Sequence, residues 1–384
     1  MQMPLKPLSG SKAADLSDLA GDIGWLSVHA LEPNFTLMPQ WVLPLAEICG
    51  PGRKLVPVHA LTGEGRPGAF SVFETRRWRW GLPLAHGESF LGDFPISGTP
   101  LLSMADPVGS CAAMLQQAFD SLKVSSLIIP YLSGHHAISS VMVDACAEIG
   151  APICFLDDRQ RAALRCNGDY DAWFKETFSR KRRKEFRRLS ARLAETGDLQ
   201  THTRQAGEPG LETWIDDFLT LEQSSWKGNR GTAIAGSGAL TSFLRNALSR
   251  LDAAGKLLFW RMIVDGKPVA MMFGVKEGST CWIVKIAHDQ TLARFSPGVL
   301  LVLAATRTMF ESDELMFADS CAEPGHPMID HIWKDRLSVR DVMIGNPSSS
   351  AAVFSGLKAM ERARRKVHAS LKALRNSLRK GKAK

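Results

Sequence analysis

Three apolar runs separated by tight turns limit what the second half of this chain can fold into. Leu257 to Val264 and Pro268 to Val275 flank Asp265-Gly266-Lys267, and Glu277-Gly278-Ser279 leads into a third run, Cys281 to Ala287. Asp-Gly between apolar runs is a hairpin signal, because the favoured two-residue turn needs positive φ at both central positions. The expected product is a three-stranded antiparallel meander. A loop, Gln290 to Gly298, then leads into an apolar helix through Val299-Leu300-Leu301, and a short run, Leu315 to Ala318, ends on Asp319. Ser296 is expected to cap that helix with its side chain, and Pro297 to take the first helical position. Gly298 should leave the backbone open to a ligand. A helix start of this kind presents unpaired N–H groups and the positive end of a dipole, which together favour an anion.

The 384 residues suit two domains of ordinary size, and 45% apolar with 22% charged residues is the balance of a globular protein. No apolar run reaches the ~18–20 residues that span a bilayer, and Met1 to Pro7 lacks the apolar core of a signal peptide, so a cytoplasmic location is expected. The seven cysteines are scattered with no C-x-x-C pair, which predicts reduced thiols and no structural metal. The net charge of +8 is concentrated in two places. Nine Lys/Arg lie between Lys175 and Arg192, and eleven lie between Lys358 and Lys384 against the single acid Glu361. The rest of the chain is net acidic. Any anionic partner should therefore meet those two segments.

Residues 1–20 read as a loose tail, and Trp25 to about Leu102 as short strands, including a pair flanking Thr62 to Gly68. Asp106 to Leu122 reads as a helix. Strand Ser126–Ile129, helix Ser133–Ile149 and strand Ile153–Leu156 predict a crossover with parallel pairing. In the basic segment, Phe186, Leu189 and Leu193 form a narrow apolar stripe on an otherwise cationic helix. That helix is a solvated face or a phosphate-holding surface beside a cleft. Helices are also expected over Leu211–Ser225 and Ser242–Ala253, with a Gly-rich stretch between them. From Phe354 onward, Leu357, Met360, Arg364, Val367, Leu371, Leu374 and Leu378 alternate spacings of three and four, an amphipathic seam. It could dock on its own domain, pair with a second copy, or rest on an anionic membrane over 354–380. Nucleic acid is less favoured, since no aromatic residue follows Phe354.

Meander, loop, helix and strand in this order resemble the core of the GNAT acyltransferases. The Arg/Lys-rich helix before Leu189, Ser225-Trp226-Lys227-Gly228, Gly266-Lys267-Pro268-Val269-Ala270, Ser296-Pro297-Gly298, and Asp319-Ser320-Cys321 leading to Ile332-Trp333-Lys334 are similar to the CelD/BcsL-like and FemAB-like branch. The resemblance covers roughly Trp25 to Val342. It implies an α/β (α+β) fold of two tandem GNAT-like domains, each a mixed, largely antiparallel sheet flanked by helices. The corresponding segments are a tail at 1–20, a non-catalytic first domain at 21–165, a catalytic second domain at 166–345 and a basic helix at 346–384. The loop departs from the usual Q/R-x-x-G-x-G/A by having one glycine.

The resemblance further implies transfer of an acyl group, acetyl first, from acyl-CoA to an amine such as that of an amino sugar or polysaccharide precursor. Arg294, Phe295, Ser296, Pro297, Gly298 and Val299 would hold the CoA pyrophosphate. Proton-transfer candidates cluster at strand ends: Asp319, where burial would raise a carboxylate pKa, then His288, whose ordinary pKa already lies near neutrality. Trp226, Lys227, Lys285, Glu323 and His326 are the substrate-side candidates, and no metal is expected. Asp319 could instead cap Ser320-Cys321 or pair with an arginine, and Cys321 could be a nucleophile or a structural thiol. Two rival functions stand beside this one. They are aminoacyl transfer from tRNA, with the basic helix on RNA, and a non-enzymatic scaffold of a polysaccharide synthase at the membrane.

Overall fold

The Asp265-Gly266 turn forms as its residues dictate, with φ of 48° and 74°, and it joins two strands in antiparallel register from Leu257↔Val275 to Val264↔Lys267. The computed structural model describes residues 16–50, 52–134, 136–224 and 234–381. In chain order these form α1 (Ala20–His29), α2 (Pro39–Glu47), β1 (Leu55–Leu61), β2 (Pro67–Arg76), β3 (His86–Ser89), β4 (Leu101–Leu102), α3 (Pro107–Leu122), β5 (Ser126–Ser133) and α4 (His136–Glu148). They continue with β6 (Ile153–Arg165), α5 (Tyr170–Thr177), α6 (Arg180–Ala194), β7 (Leu199–Gln205), α7 (Leu211–Gln223), α8 (Gly238–Ala253), β8 (Leu257–Val264), β9 (Lys267–Glu277) and β10 (Thr280–His288). The remainder are α9 (Pro297–Phe310), β11 (Phe317–Asp319), β12 (Asp335–Gly345) and α10 (Ala351–Gly381). The mixed α/β class is as expected. The tail read at 1–20 lies outside the described residues up to residue 15.

The chain forms two compact units that are interleaved in sequence. The first comprises residues 1–32, 51–158 and 339–384, and the second residues 33–50 and 159–338. In the first, strands follow the order β1-β2-β3-β5-β12-β6, with β4 beside β2. Helices α3 and α4 bury Leu115, Phe119, Ile138 and Met142 against Val58, Leu127, Ile129 and Ile344. Two expectations are corrected here. Helix α1 replaces strand in the stretch after Trp25, because Ile23 and Leu26 are the residues it buries. The neighbour of β5 is not β6 but β12, antiparallel from Val339↔Ser133 to Gly345↔Ser126. The parallel partner of β5 is β3, through Gly87↔Leu127 and Glu88↔Ile128.

In the second unit the order is β6-β11-β10-β9-β8-β7. Alternation sends Leu258, Trp260, Met262 and Met272 to one face, where Phe186, Leu189 and Leu193 of α6 and Leu301 and Ala305 of α9 cover them. On the other face, Trp214 of α7 packs tilted on Phe259, and Phe218 packs edge-on against Phe259 and Phe273. Helix α2, which the sequence reading assigned to strand, packs on α8, with the Trp41 and Phe243 rings edge-to-face at 5.0 Å. No helix among the described residues is long and apolar enough to cross a membrane.

Candidate active site

Strand β10 is flanked on one side by β9 over its whole length. On the other side it runs parallel with β11 only from Thr280↔Phe317 to Trp282↔Asp319. Beyond Trp282 the two chains part. Cys321 turns away with φ of 51°, while β10 runs on to His288 past a register shift between Ile283 and Lys285. A bulge at this point re-aims the following side chains, and such irregularities concentrate at sites.

The loop after β10 is not open coil. Asp289 accepts from the Thr291 N–H at 2.8 Å and starts a 3₁₀ turn over Gln290–Phe295. That turn ends on Ser296 in the left-handed region, φ 53° and ψ 50°. In that conformation the Ser296 side chain makes no cap bond to α9, so the expected side-chain cap is absent. Its carbonyl oxygen instead accepts from Val299 (3.0 Å) and Leu300 (3.1 Å). Pro297 does open the helix, with no N–H to satisfy. Gly298 is the one residue of this first turn whose N–H has no partner among the described residues. Its missing side chain does not make room for a ligand, which corrects the sequence expectation. A Cβ there would meet His288 Nδ1 at 3.3 Å and Met328 Sδ at 3.6 Å. The anion-binding capacity of the loop thus rests on one N–H and the helix dipole, rather than on several consecutive amides.

The adjoining elements carry exposed cationic side chains. Arg294 is exposed, its guanidinium 4.7 Å from the centre of the buried Phe295 ring. Helix α6 lies against both α9 and the 290–295 turn. Phe186, Leu189 and Leu193 face inward as the stripe predicted. Lys181, Arg182, Lys184, Arg187, Arg188 and Arg192 are exposed. Arg183 serves the fold, donating to the carbonyls of Lys175 (2.6 Å) and Phe178 (2.9 Å).

Midway along β10, Lys285 Nζ donates to Glu222 Oε1 at 3.1 Å. Glu222 has no exposed surface, and its second oxygen accepts from the Ile234 N–H at 2.9 Å. Sequence reasoning missed this carboxylate, although a signal existed. Glu222 lies on the stripe Trp214, Ile215, Phe218, Leu221 of α7, where only apolar residues are expected. A charged residue on such a face needs a buried partner.

Asp319 is 1% exposed and forms an ion pair with Arg161, while its other oxygen accepts from the Cys321 N–H at 2.9 Å. Both alternative uses weighed for it, capping and arginine pairing, are present. It lies beside Trp282 in register, whereas His288 is six residues further along β10, roughly 20 Å at ~3.3 Å per residue. Asp319 and His288 therefore cannot serve one proton. The His288 ring packs on Gly298, with Nε2 2.9 Å from the Gln290 amide. His326 Nδ1 accepts from the N–H groups of Met328 (3.3 Å) and Ile329 (3.4 Å), shaping the loop that packs on the start of α9; Glu323 is exposed in the same loop. Trp226 and Lys227 lie outside the described residues. Burial, and then the charge of Asp319, hold the Cys321 thiol well above its ordinary pKa, so it supplies no thiolate near neutrality. The described residues contain no group of three or more His, Cys, Asp or Glu able to hold a metal.

The family described as "Acetyltransferase (GNAT) domain" matches residues 180–320, which run from α6 to the turn after β11. Over that stretch the chain is similar to a GNAT acetyltransferase domain. Among solved structures the chain is similar to FemX (TM-score 0.59, 8% identity, 88% of this chain and 98% of that one). It is also similar to a conserved protein of unknown function from Bacteroides thetaiotaomicron (0.56, 13%, 90% and 99%). A third is the C-terminal domain of a protein assigned as a lysylphosphatidylglycerol synthetase from Agrobacterium fabrum (0.54, 11%, 90% and 96%). At these identities the likeness concerns the fold. No protein among the curated sequences matches the chain.

Proposed function

We propose that the second unit binds acyl-CoA with its phosphates at the start of α9 and transfers the acyl group, acetyl first, to an amine. The observation that carries this reading is the unpaired Gly298 N–H at a helix start, with exposed Arg294 in the preceding turn and α6, whose outer face is cationic, packed on both elements. Such a place favours two or more negative charges. From there the pantetheine arm would run back along β10 toward the bulge, bringing the thioester near Lys285. The Lys285 ammonium, fixed by buried Glu222, is then the donor that stabilises charge developing on the thioester oxygen. His288 and Met328 act as positioning residues for the α9 start, and the Asp319–Arg161 pair fixes the end of β11 where the strands part. Glu323 and His326 border the phosphate side rather than the bulge. An amino sugar or polysaccharide precursor as acceptor follows from the CelD/BcsL-like resemblance, and a cytoplasmic location goes with that substrate.

Isothermal titration of the full chain with acetyl-CoA tests the donor. Binding is expected, with about tenfold weaker affinity in Arg294→Glu, which reverses one exposed charge. Folded protein that takes up no acetyl-CoA sinks the reading.

One observation favours a second donor. The FemX likeness extends over nearly the full length of both chains, and the exposed cations of α6 suit an RNA backbone, as aminoacyl transfer from tRNA would need. Filter binding of aminoacyl-tRNA across a salt series separates the two, since several phosphate contacts predict a steep loss of affinity with salt.

A further inference from the structure

Helix α10 is one amphipathic seam with two different fates. Its first turns belong to the first unit. Phe354 and Leu357 are buried with Ile128 and Met343, against Trp80 and Leu156. Glu361, with no exposed surface, accepts hydrogen bonds from Arg79 (3.0 Å), the Trp80 indole (3.0 Å), Arg364 (2.8 Å) and Arg365 (2.7 Å). Arg365 also pairs with Asp157 and, at 2.8 Å, with Asp341. Past this clamp the seam continues in sequence at the same spacing, and three of its apolar side chains are largely exposed. Val367, Leu371 and Leu374 are 57%, 58% and 57% exposed. From Arg362 to Lys384 there are ten Lys/Arg and no Asp or Glu.

We infer that the distal part of α10 is a docking surface for an anionic phospholipid bilayer, laid in the headgroup plane with Val367, Leu371 and Leu374 inserted. The charge pattern selects this occupant. A second copy of the helix would bring two uniformly cationic flanks together with no acid to pair across the seam. RNA would meet the cations but leave the three apolar side chains in water, with no aromatic residue to stack on a base. An acidic membrane surface satisfies both halves of the pattern: headgroups take the Lys/Arg flanks, and the acyl boundary takes the apolar stripe. The clamp at Glu361 gives the helix a rigid root, so its binding face is preformed. This inference does not depend on the acyltransferase reading.

Flotation of the full-length protein with vesicles tests it. The protein should float with phosphatidylcholine:phosphatidylglycerol vesicles at 7:3, remain behind with phosphatidylcholine alone, and release as salt is raised. The variant Val367→Gln/Leu371→Gln/Leu374→Gln keeps every charge and alters only exposed positions, so its melting temperature should match the parent. Its vesicle affinity should fall at least tenfold. Protein that stays in solution with the anionic vesicles overturns the inference. So does a variant that floats as well as the parent, because charge alone would then account for binding. A salt-sensitive complex with tRNA in place of vesicle binding, or a dimer in light scattering that this variant abolishes, assigns the surface to RNA or to a second copy and likewise overturns it.

Discussion

Both units contain a strand, a connection, a helix and a second strand parallel to the first, yet the two helix starts are built in opposite ways. In the first unit the connection between β3 and α3 folds back along β5. The Gly98 N–H donates to Tyr131 O at 3.3 Å, the Thr99 hydroxyl accepts from the Ser133 N–H at 2.8 Å, and Phe94 and Ile96 are buried. A Cβ on Gly98 would collide with the Pro130 carbonyl, so the chain itself occupies that space. The helix start is closed by Asp106, whose carboxylate accepts from the Gly109 N–H at 3.1 Å. In the second unit the Ser296 side chain makes no cap bond, the Gly298 N–H is unpaired among the described residues, and exposed Arg294 lies in the preceding turn. A carboxylate at a helix start excludes phosphate by repulsion; an open amide beside cations attracts it. Under the proposed reading the chemistry belongs to the second unit, while the first holds the root of α10.

The comparison can be broken by substitutions whose effects should separate between stability and chemistry. The largest effect is expected at the clamp of the first unit. Glu361→Ala leaves three arginines facing one another and should lower unfolding free energy by roughly 3–5 kcal/mol in urea titrations, with turnover per folded molecule unchanged. Burial alone would raise the Glu361 pKa, but hydrogen bonds from Arg364 and Arg79, with the charges of Arg79 and Arg365, outweigh it and hold the group below the ordinary carboxylate range. Its stabilising contribution is therefore complete above the unfolded value of about 4.3 and is lost as pH falls below it. Melting curves between pH 7 and pH 3 should accordingly flatten in Glu361→Gln.

Next in size, Lys285→Met should cut acyl transfer by about 10²–10³-fold while acetyl-CoA affinity, read by titration, moves less than twofold. A parallel loss of affinity would mean that Lys285 binds donor instead of stabilising its reaction. Exchanging the character of the two helix starts is a smaller and sharper test. Ser296→Asp should weaken acetyl-CoA about tenfold, equivalent to about 1.4 kcal/mol. Asp106→Ala should cost about 1 kcal/mol of stability and leave donor affinity untouched. The smallest change is Ser296→Gly, expected to add at most about 1 kcal/mol of stability, since glycine accepts φ of 53° without the strain a side chain brings.

What could be read from the sequence was local. The β8–β9 hairpin follows from Asp265-Gly266, and β10, α9 and β11 follow from runs whose partners are near in the chain. Strand β12 was not legible. Its sequence, Asp335 to Gly345, carries Asp335, Arg336, Arg340 and Asp341, and its partner β5 lies some two hundred positions earlier. Helix α2 was hidden by Pro44 inside it. Ser-Pro-Gly reads as a capped helix start because Ser usually caps there; packing of His288 and Met328 on Gly298 goes with a different backbone at Ser296. Asp319 was found by its position at a strand end, but its partner Arg161 sits on β6, far away in sequence. Glu222 was legible in principle, as a charge on an apolar stripe.

The interleaving of the two units bears on how the chain is made. Residues 51–158 are synthesised before most of the second unit, but β5 lacks its β12 neighbour until Val339 and beyond have been synthesised. At about 5–20 residues per second, that delay is on the order of 10–40 s, during which Ile128 and Ile129 have no strand on that side. The second unit, closed by Ser338, can complete itself within that interval. The second unit should then emerge as the earlier folding product, with the α10 clamp forming after it.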